Sequence, residues 1–260
     1  MLLAIDVGNT HTVMGLFGPE ADDEDLGLVD HWRIATQEPR TADELALLLR
    51  SFLRFEGRYM EDITGVAVSS VVPRVTGALR QMIDRYLSVD PVVVEPGTRS
   101  GMPILYDNPK EVGADRIANA VAAFEGYGGP AVVVDFGTAT TFDAISEKGE
   151  YLGGAISPGI EISSRALFDA AAGLRRVEIG EPRSVIGKNT VESVQSGMLY
   201  GFAGQVDSMV ERIRDEFGGH GVAVATGGLA QTVMRACRTV DHHDQWLTLK
   251  GLRIIYERNQ

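Results

Sequence analysis

A short pattern at the start of this chain of 260 residues constrains its fold more than any other feature. Leu2–Ile5 is apolar, and Thr12–Phe17 is apolar again and rich in β-branched and aromatic residues. The polar segment Asp6–Thr10 separates them, so the pattern predicts strand, turn and strand. Because Gly8 has no Cβ, backbone N–H groups around it can approach an anion closely. The Asp6 carboxylate suits Mg²⁺ beside phosphates, although an ordinary hairpin explains the motif equally well.

The same pattern occurs a second time near the middle of the chain. Residues 131–145 run from an apolar strand through Asp-x-Gly and hydroxyl residues into a second apolar strand. Asp135 aligns with Asp6, and Gly137 aligns with Gly8. Two such hairpins predict two similar domains whose Asp-x-Gly turns face each other and bind a nucleotide's phosphates from both sides. Chance similarity between unrelated hairpins is the alternative.

Charge and cysteine content narrow the possible classes of function. The formal net charge is −12, whereas nucleic-acid binding needs a basic surface, so we expect no nucleic-acid partner. An anionic substrate would then need metal ions, Arg, Lys and backbone N–H groups close to it.

The single cysteine, Cys237, allows neither a disulfide nor a cysteine zinc site within one chain, and we expect it to be inert. With no signal-peptide pattern and no bilayer-length apolar run, we expect a cytoplasmic protein without a membrane partner.

The order of predicted elements supports an α/β fold with two halves. The first half reads β-β-β-α-β-α-β, which implies a mixed sheet with helices packed on it. A loop-rich segment, Gly97–Val112, ends this half, so we predict domains at residues 1–112 and 113–260, the second repeating the first with extra helices. Further predictions are a solvated acidic turn at Pro19–Asp25, a capping box at Thr41–Glu44, a buried strand at Val222–Thr226, and helices at Thr76–Leu87, Ala114–Phe124, Ile160–Ala172, Leu229–Arg238 and Leu247–Arg258, with one or two more in Asn189–Phe217.

Two interpretations are open for Asp115, in the sequence Gly113-Ala114-Asp115-Arg116. It lies in the first turn of a predicted helix, where the helix dipole favours a carboxylate, so its role can be to stabilise the helix. It can also be a general base that accepts a hydroxyl proton during phosphoryl transfer. Arg116 can donate two parallel hydrogen bonds to a carboxylate or a phosphate.

The second hairpin supplies further candidate ligands. Asp135 stands at a strand end, where a carboxylate can hold a cation. Three hydroxyl residues, Thr138, Thr140 and Thr141, are candidate phosphate or cation contacts. Thr also favours strands, so simple β propensity is an alternative explanation for them.

Glycine-rich turns and a helix start add to the candidates. Gly153–Gly159 either lets the backbone approach a ligand closely or forms a strand-to-helix turn. Gly227 and Gly228, between a buried strand and a predicted helix, are candidates for contact with adenine or ribose, with an ordinary turn as the alternative. Either Asn189 or Thr190 can cap the helix that follows.

These motifs occur together, and in this order, in one family. The chain resembles the type III pantothenate kinases at Asp6–Thr10, Gly113–Arg116, Asp135–Thr140, Gly153–Gly159 and Lys188–Thr190, and the resemblance extends along nearly its whole length. It implies the fold shared by acetate and sugar kinases, heat-shock chaperones and actin, with duplicated actin-like (ribonuclease H-like) domains, each a mixed sheet flanked by helices. It also implies ATP-dependent phosphorylation of pantothenate to 4'-phosphopantothenate, the first step of coenzyme A biosynthesis.

The resemblance implies roles for individual residues. Asp115 would be the general base, Asp6 would lie near Mg²⁺, and Asp135 would bind K⁺ or NH₄⁺. The residues implied to bind ATP are Asp6, Val7, Gly8, Asn9, Thr10, His11, Thr12, Val13 and Thr138. The residues implied to bind pantothenate are Tyr106, Gly113, Ala114, Asp115, Arg116 and Thr190. The implied active unit is a homodimer, in which Thr190 reaches the pantothenate of the partner chain.

Two other functions stay open beside pantothenate phosphorylation. One is phosphoryl transfer or hydrolysis on a sugar or a small acid by another enzyme of the same fold. The other is a regulatory role without catalysis. Intact Asp6 and Asp115 favour an enzyme, while Gly113–Arg116 and Lys188–Thr190 favour pantothenate over a sugar.

Overall fold

Each predicted hairpin belongs to its own five-stranded mixed sheet in the computed structural model, which describes residues 1–19, 25–36, 40–171 and 173–260. The chain divides into a first unit of residues 1–122 with 246–260 and a second unit of residues 123–245. Two sheets with helices packed on them confirm the predicted fold class. The domain boundary at residue 112 stays a prediction, because packing contacts do not show where one repeat ends and the next begins.

The sheet of the first unit is built outward from the first hairpin. Its strands are β1 (Leu2–Val7), β2 (His11–Phe17), β3 (Leu28–Ala35), β4 (Gly65–Ser70) and β5 (Val92–Val93). They lie in the order β3-β2-β1-β4-β5. The first three strands are antiparallel neighbours, while β4 and β5 continue the sheet parallel to β1. The carboxyl ends of β1, β4 and β5 therefore meet at one edge, where Asp6 stands.

The helices of the first unit start where local sequence signals allow. Numbered along the chain, they are α1 (Ala42–Phe55), α2 (Pro73–Tyr86), α3 (Ala114–Tyr127), whose last residues belong to the second unit, and the final helix α7 (Leu247–Glu257). The capping box is confirmed, because the Thr41 hydroxyl accepts from the Glu44 N–H at 3.2 Å and the Glu44 carboxylate accepts from the Thr41 N–H at 2.8 Å. Helix α2 begins three residues before the predicted Thr76, since a proline suits the first helical position.

The two faces of the first sheet carry side chains of different size. Large apolar side chains such as Leu3, Ile5 and Leu16 form a buried core with residues of α1 and α2. Small residues line the face that packs on α7. A Cβ on Gly65 would lie 2.1 Å from the Tyr256 hydroxyl oxygen, and a Cβ on Gly15 would lie 2.8 Å from Leu249. Helix α7 therefore lies close to the sheet because these positions lack side chains.

The second unit repeats the topology of the first. Its strands are β6 (Ala131–Phe136), β7 (Ala139–Ile145), β8 (Tyr151–Pro158), β9 (Val222–Thr226) and β10 (His242–His243). The order β8-β7-β6-β9-β10 matches β3-β2-β1-β4-β5, with the same antiparallel and parallel pairings. The two Asp-x-Gly turns thus occupy equivalent positions, and the predicted strand at Val222–Thr226 is confirmed.

The helices of the second unit are α4 (Ile160–Ala170), α5 (Thr190–Glu216) and α6 (Ala230–Val233). Helix α5 is one continuous helix of 27 residues. The predicted helix at Leu229–Arg238 is wrong in length, because α6 passes into a 3₁₀ turn at Met234–Ala236. Burial, with the nearby charge of Asp207, raises the pKa of Cys237 to about 12, so the thiol stays protonated at neutral pH, as expected for an inert cysteine.

Parts of two predicted elements lie outside the described residues. They are residues 20–24 of the acidic turn and residue 172 at the end of the helix predicted from Ile160. At the end of the turn, Asp25 forms an ion pair with Lys250 of α7 at 3.0 Å. In the described ranges, the helices are too short or too polar to traverse a lipid bilayer.

Candidate active site

Backbone and hydroxyl hydrogen bonds hold the turn between β1 and β2. The Gly8 N–H donates to the His11 carbonyl at 3.0 Å, and the Thr36 N–H donates to the Thr10 carbonyl at 2.9 Å. The Thr36 hydroxyl donates to the Gly8 carbonyl at 2.8 Å and lies 2.9 Å from the Thr12 hydroxyl. Because the Gly8 N–H is used within the turn, an anion here would be held by other donors. The pattern of the hairpin did not reveal Thr36.

A buried serine orients the carboxylate of Asp6. The parallel pairing of β1 with β4 places Ser69 beside Asp6. The Ser69 hydroxyl is fully buried and donates to Asp6 Oδ1 at 2.6 Å. A hydrogen bond to a carboxylate is stronger than one between neutral groups, so it fixes the Asp6 side chain at the sheet edge. The sequence signal for Ser69 is a pair of serines at the end of a buried strand.

The start of α3 holds Asp115 against the first turn of the helix. Asp115 Oδ1 accepts a hydrogen bond from the Arg116 N–H at 2.8 Å. A Cβ on Gly113 would lie 2.5 Å from the same oxygen, so glycine leaves the space that the carboxylate occupies. The helix therefore orients Asp115, and this contact is compatible with both the stabilising and the catalytic interpretation. Arg116 is buried beside it.

In the second unit, backbone packs closely on the Asp135-x-Gly turn. The Gly137 N–H donates to the Ala139 carbonyl at 3.0 Å, and the Gly159 N–H donates to the Thr138 carbonyl at 3.1 Å. A Cβ on Gly159 would lie 2.4 Å from the carbonyl oxygens of both Gly137 and Thr138. The Gly153–Gly159 motif thus ends at a glycine that lets the start of α4 pack on this turn.

The carboxylate of Asp135 lies at the carboxyl ends of β6 and β9. Strand pairing places Thr141 and Thr226 beside Asp135. Gly227 has φ +95°, and a Cβ there would lie 2.4 Å from Asp135 Oδ1. Oxygen atoms of this kind are the ligands that hard cations prefer. Within residues 1–19, 25–36, 40–171 and 173–260, no three His, Cys, Asp or Glu side chains cluster as a metal site.

Thr190 lies at the rim of a cavity of about 780 Å³ between α4 and α5. The Asn189 side chain accepts a hydrogen bond from the Glu192 N–H at 3.0 Å, so Asn189 is the N-cap and Thr190 is the first helical residue. The rim is polar at Lys188, Asn189 and Thr190, and the wall is apolar, with Leu167, Leu174, Val194, Met198 and Phe202.

The segment before α5 is tied to the helix. Glu192 accepts hydrogen bonds from the Arg183 side chain and, at 3.1 Å, from the Lys188 N–H. These hydrogen bonds, that from Arg183 foremost, hold the pKa of Glu192 below its usual value. A Cβ on Gly187 would lie 2.4 Å from the Ser193 backbone nitrogen, so the segment also packs closely on the first turn.

Another, smaller cavity of about 270 Å³ lies beside α6, the helix that follows the Gly227-Gly228 turn in the sequence. Its polar lining comes from α6 and the turn after it, at Gln231, Thr232 and Arg235. Tyr200 of α5 and Glu181 complete it, with Leu199 and Ala236 as apolar lining. The sequence pattern indicates the two glycines but none of these side chains, because their grouping depends on the packing of α6 on α5.

The predicted site residues are divided between the units. Asp6–Val13, Tyr106 and Gly113–Arg116 belong to the first unit, whereas Asp135, Thr138 and Thr190 belong to the second. Within the second unit, Asp135 and Thr138 lie around one turn, and Thr190 lines the cavity between α4 and α5.

The sequence model of the type III pantothenate kinases matches residues 2–212 of the chain. The chain belongs to the type III pantothenate kinase family. It is 56% identical over 260 residues to the type III pantothenate kinase of Acidothermus cellulolyticus, covering 100% of this chain and 99% of that protein. It is 57% identical over 267 residues to that of Streptomyces griseus, covering 100% and 98%. The family suggested by the motifs is confirmed.

Solved structures of distant proteins share the fold. The activator of the 2-hydroxyisocaproyl-CoA dehydratase from Clostridium difficile matches with a TM-score of 0.60 at 13% identity, covering 99% of this chain and 94% of the other. A ROK hexokinase from Thermus thermophilus matches with a TM-score of 0.53 at 14% identity, covering 99% of both chains. At these identities the likeness concerns the fold alone, and it agrees with the duplicated sheets of a pantothenate kinase family member.

Proposed function

We propose that this protein transfers the γ-phosphate of ATP to the primary hydroxyl of pantothenate, which forms 4'-phosphopantothenate for coenzyme A biosynthesis in the cytoplasm. The observation that carries the proposal is the full-length identity of 54–57% to relatives named type III pantothenate kinase. The motifs Asp6–Thr10 and Gly113–Arg116, which the chemistry needs, are both intact.

Asp115 acts as the general base in this proposal. Its carboxylate takes the proton of the pantothenate hydroxyl while that oxygen attacks the γ-phosphorus. The bond from the γ-phosphorus to the bridging oxygen breaks, and ADP leaves with that electron pair. The hydrogen bond from the Arg116 N–H orients the carboxylate for this step. Gly113, Ala114, Arg116 and Tyr106 hold pantothenate, and the Arg116 guanidinium is suited to a carboxylate.

Two cations accompany the reaction in this proposal. The Asp6 carboxylate, oriented by Ser69, fits Mg²⁺ because this ion prefers carboxylate oxygens, and bound Mg²⁺ neutralises phosphate charge. The Asp135 carboxylate fits K⁺ or NH₄⁺, with Thr141 and Thr226 in the neighbouring strand positions. In a protein of net charge −12, such neutralisation is needed before an anionic nucleotide can bind. Residues Asp6–Val13 and Thr138 contact ATP.

The cavity beside α6 is the proposed contact for the adenine base. Its size of about 270 Å³ suits one flat ring system beside the Tyr200 ring, and the Gln231 amide offers a donor and an acceptor to a base edge. Gln231→Ala should therefore raise the KM for ATP and leave the KM for pantothenate unchanged. Equal KM values for ATP in the variant and the wild type would place the base elsewhere.

A homodimer is proposed from the surface near Thr190. Val185, Ile186 and Val191 are 65%, 72% and 49% exposed, although they are apolar. They flank the segment that carries Lys188, Asn189 and Thr190 at the cavity rim. A second copy of the chain would cover these side chains and bring Thr190 to the partner's pantothenate.

A substrate panel tests the proposed reaction. Formation of ADP is followed with ATP, Mg²⁺ and K⁺ and with pantothenate, hexoses, N-acetylated hexosamines or acetate as the acceptor. We expect turnover when pantothenate is the acceptor and none with the other acceptors. Turnover with a sugar or acetate instead would show another kinase of the same fold, and no turnover with any acceptor would favour a regulatory protein.

A further inference from the structure

The last residues of the chain hold the loop that joins β5 to α3. Because β5 runs parallel to β1 through β4, this loop leaves the sheet at the edge where Asp6 stands. The loop carries Tyr106 and ends at Gly113–Arg116. Under the proposed function it is therefore the segment that binds pantothenate. Its anchors lie at Arg99–Gly101, shortly before Tyr106.

The side-chain amide of Asn259 bonds to both backbone groups of Arg99. Its Oδ1 accepts from the Arg99 N–H at 3.3 Å, and its Nδ2 donates to the Arg99 carbonyl at 3.0 Å. The same Nδ2 donates to the Ile255 carbonyl of α7 at 2.7 Å. Both amide hydrogens and the amide oxygen are thus used, as in a strand pairing. An aspartate here would place a carboxylate against two carbonyl oxygens.

Arg258 packs on the next two residues of the loop. Its Nη1 donates to the Ser100 carbonyl. Gly101 has φ +74°, and a Cβ there would lie 2.5 Å from Arg258 Nη1. The left-handed backbone conformation favours glycine at this position, and a Cβ there would displace the Arg258 guanidinium from the Ser100 carbonyl.

We infer that Arg258 and Asn259 are positioning residues for pantothenate, an inference that rests on the proposed function. They hold the backbone of Arg99–Gly101 in place. This backbone sets the positions of Tyr106 and Gly113 relative to the substrate. Without these anchors, the loop would have to be ordered when pantothenate binds. That entropy cost weakens binding of one substrate and leaves the chemical step unchanged.

Kinetic constants of matched variants test the inference. Asn259→Asp and Gly101→Ala should each raise the KM for pantothenate about tenfold, with kcat and the KM for ATP within about twofold of wild type. Gly97→Ala is the control, because Gly97 lies in the same loop at φ +107° and a Cβ there would meet nothing within 4 Å. It strains the loop without disturbing Arg258, so its KM for pantothenate should stay within about twofold of wild type.

Hydrogen exchange of the full chain without substrate gives an independent measurement. Amides of residues 99–112 should exchange faster in Asn259→Asp than in wild type or Gly97→Ala. An unchanged KM for pantothenate in Asn259→Asp would overturn the inference, as would an equal rise in Gly97→Ala or a rise of both KM values. Absence of pantothenate turnover in the wild type would instead overturn the proposed function, and the two failures are thereby distinguished.

Discussion

The carboxylates of Asp6 and Asp135 each lie against a group from a distant part of the chain. Ser69 donates to Asp6, and the Gly227 backbone lies against Asp135. Asp6 and Asp135 could be predicted because each stands in a short local motif. Ser69 lies 63 residues from Asp6, and only the pairing of β1 with β4 brings the two together.

The role of Asp115 can be tested by an isosteric change. Asp115→Asn retains an oxygen for the Arg116 N–H and should fold normally, yet it removes the base. We expect kcat to fall by about 10²-fold or more, the usual scale for a lost general base. The exposed Asp84→Asn on α2 is the control and should keep wild-type activity. Activity of Asp115→Asn within about threefold of wild type would contradict the role.

The proposed cation at Asp135 predicts a salt requirement. Replacing K⁺ by Na⁺ at constant ionic strength should lower turnover at least about tenfold, the effect of about 1.4 kcal/mol on the barrier. NH₄⁺ should restore the rate. Asp135→Asn should be slow in all three salts and lose its dependence on the cation, and equal wild-type rates in K⁺ and Na⁺ would refute the site.

At the scale of elements, the two hairpins and the long helices could be predicted from periodicity. The end of α6 and the two-residue strand β10 could not, because elements this short carry too little periodic signal. The sequence predicts helix α7 but not the elements against which it packs. Its packing against β4 and α3 depends on residues far away in sequence, among them Gly65 of β4 and Ala118 of α3.

The crossing of α7 over α3 predicts a large effect of one methyl group. A Cβ on Gly251 would lie 2.0 Å from the Ala118 carbonyl oxygen, so Gly251→Ala must push the helices apart. We expect about 1–3 kcal/mol of lost stability, which exceeds the gain of about 0.5–1 kcal/mol from alanine's helix propensity.

Gly126→Ala is the matched control for Gly251→Ala. Gly126 lies in α3, and a Cβ there would meet nothing within 4 Å. This variant should raise the thermal unfolding midpoint, whereas Gly251→Ala should lower it. A higher unfolding midpoint in both variants would show that helix propensity, and not packing, determines their stability.

At the scale of the whole molecule, the last residues of the sequence pack with the first unit and not with the second. Residues 246–260 belong with residues 1–122, and they supply Arg258 and Asn259 to the loop before α3. The loop-rich segment Gly97–Val112 is a local signal, and it predicts a domain boundary at residue 112. The return of the terminal helix is a long-range property that no local pattern contains.

The proposed homodimer predicts complementation between two inactive variants. Asp115→Asn lacks the base, and Thr190→Arg blocks the substrate contact near the cavity rim. If the subunits share each site, a mixed dimer has one site with both lesions and one with neither. Refolding an equal mixture should then restore about a quarter of wild-type activity, since half of the dimers are mixed. A mixture that stays inactive, or a monomer by sedimentation, would contradict shared sites.

Product analysis tests phosphoryl transfer from ATP to pantothenate with Asp115 as the base. Mass spectrometry after incubation with ATP, Mg²⁺, K⁺ and pantothenate should show phosphorylated pantothenate in amounts equal to ADP for the wild type. Asp115→Asn should form about a hundredfold less in the same time. ADP without phosphorylated pantothenate, or equal product from the variant, would contradict the account.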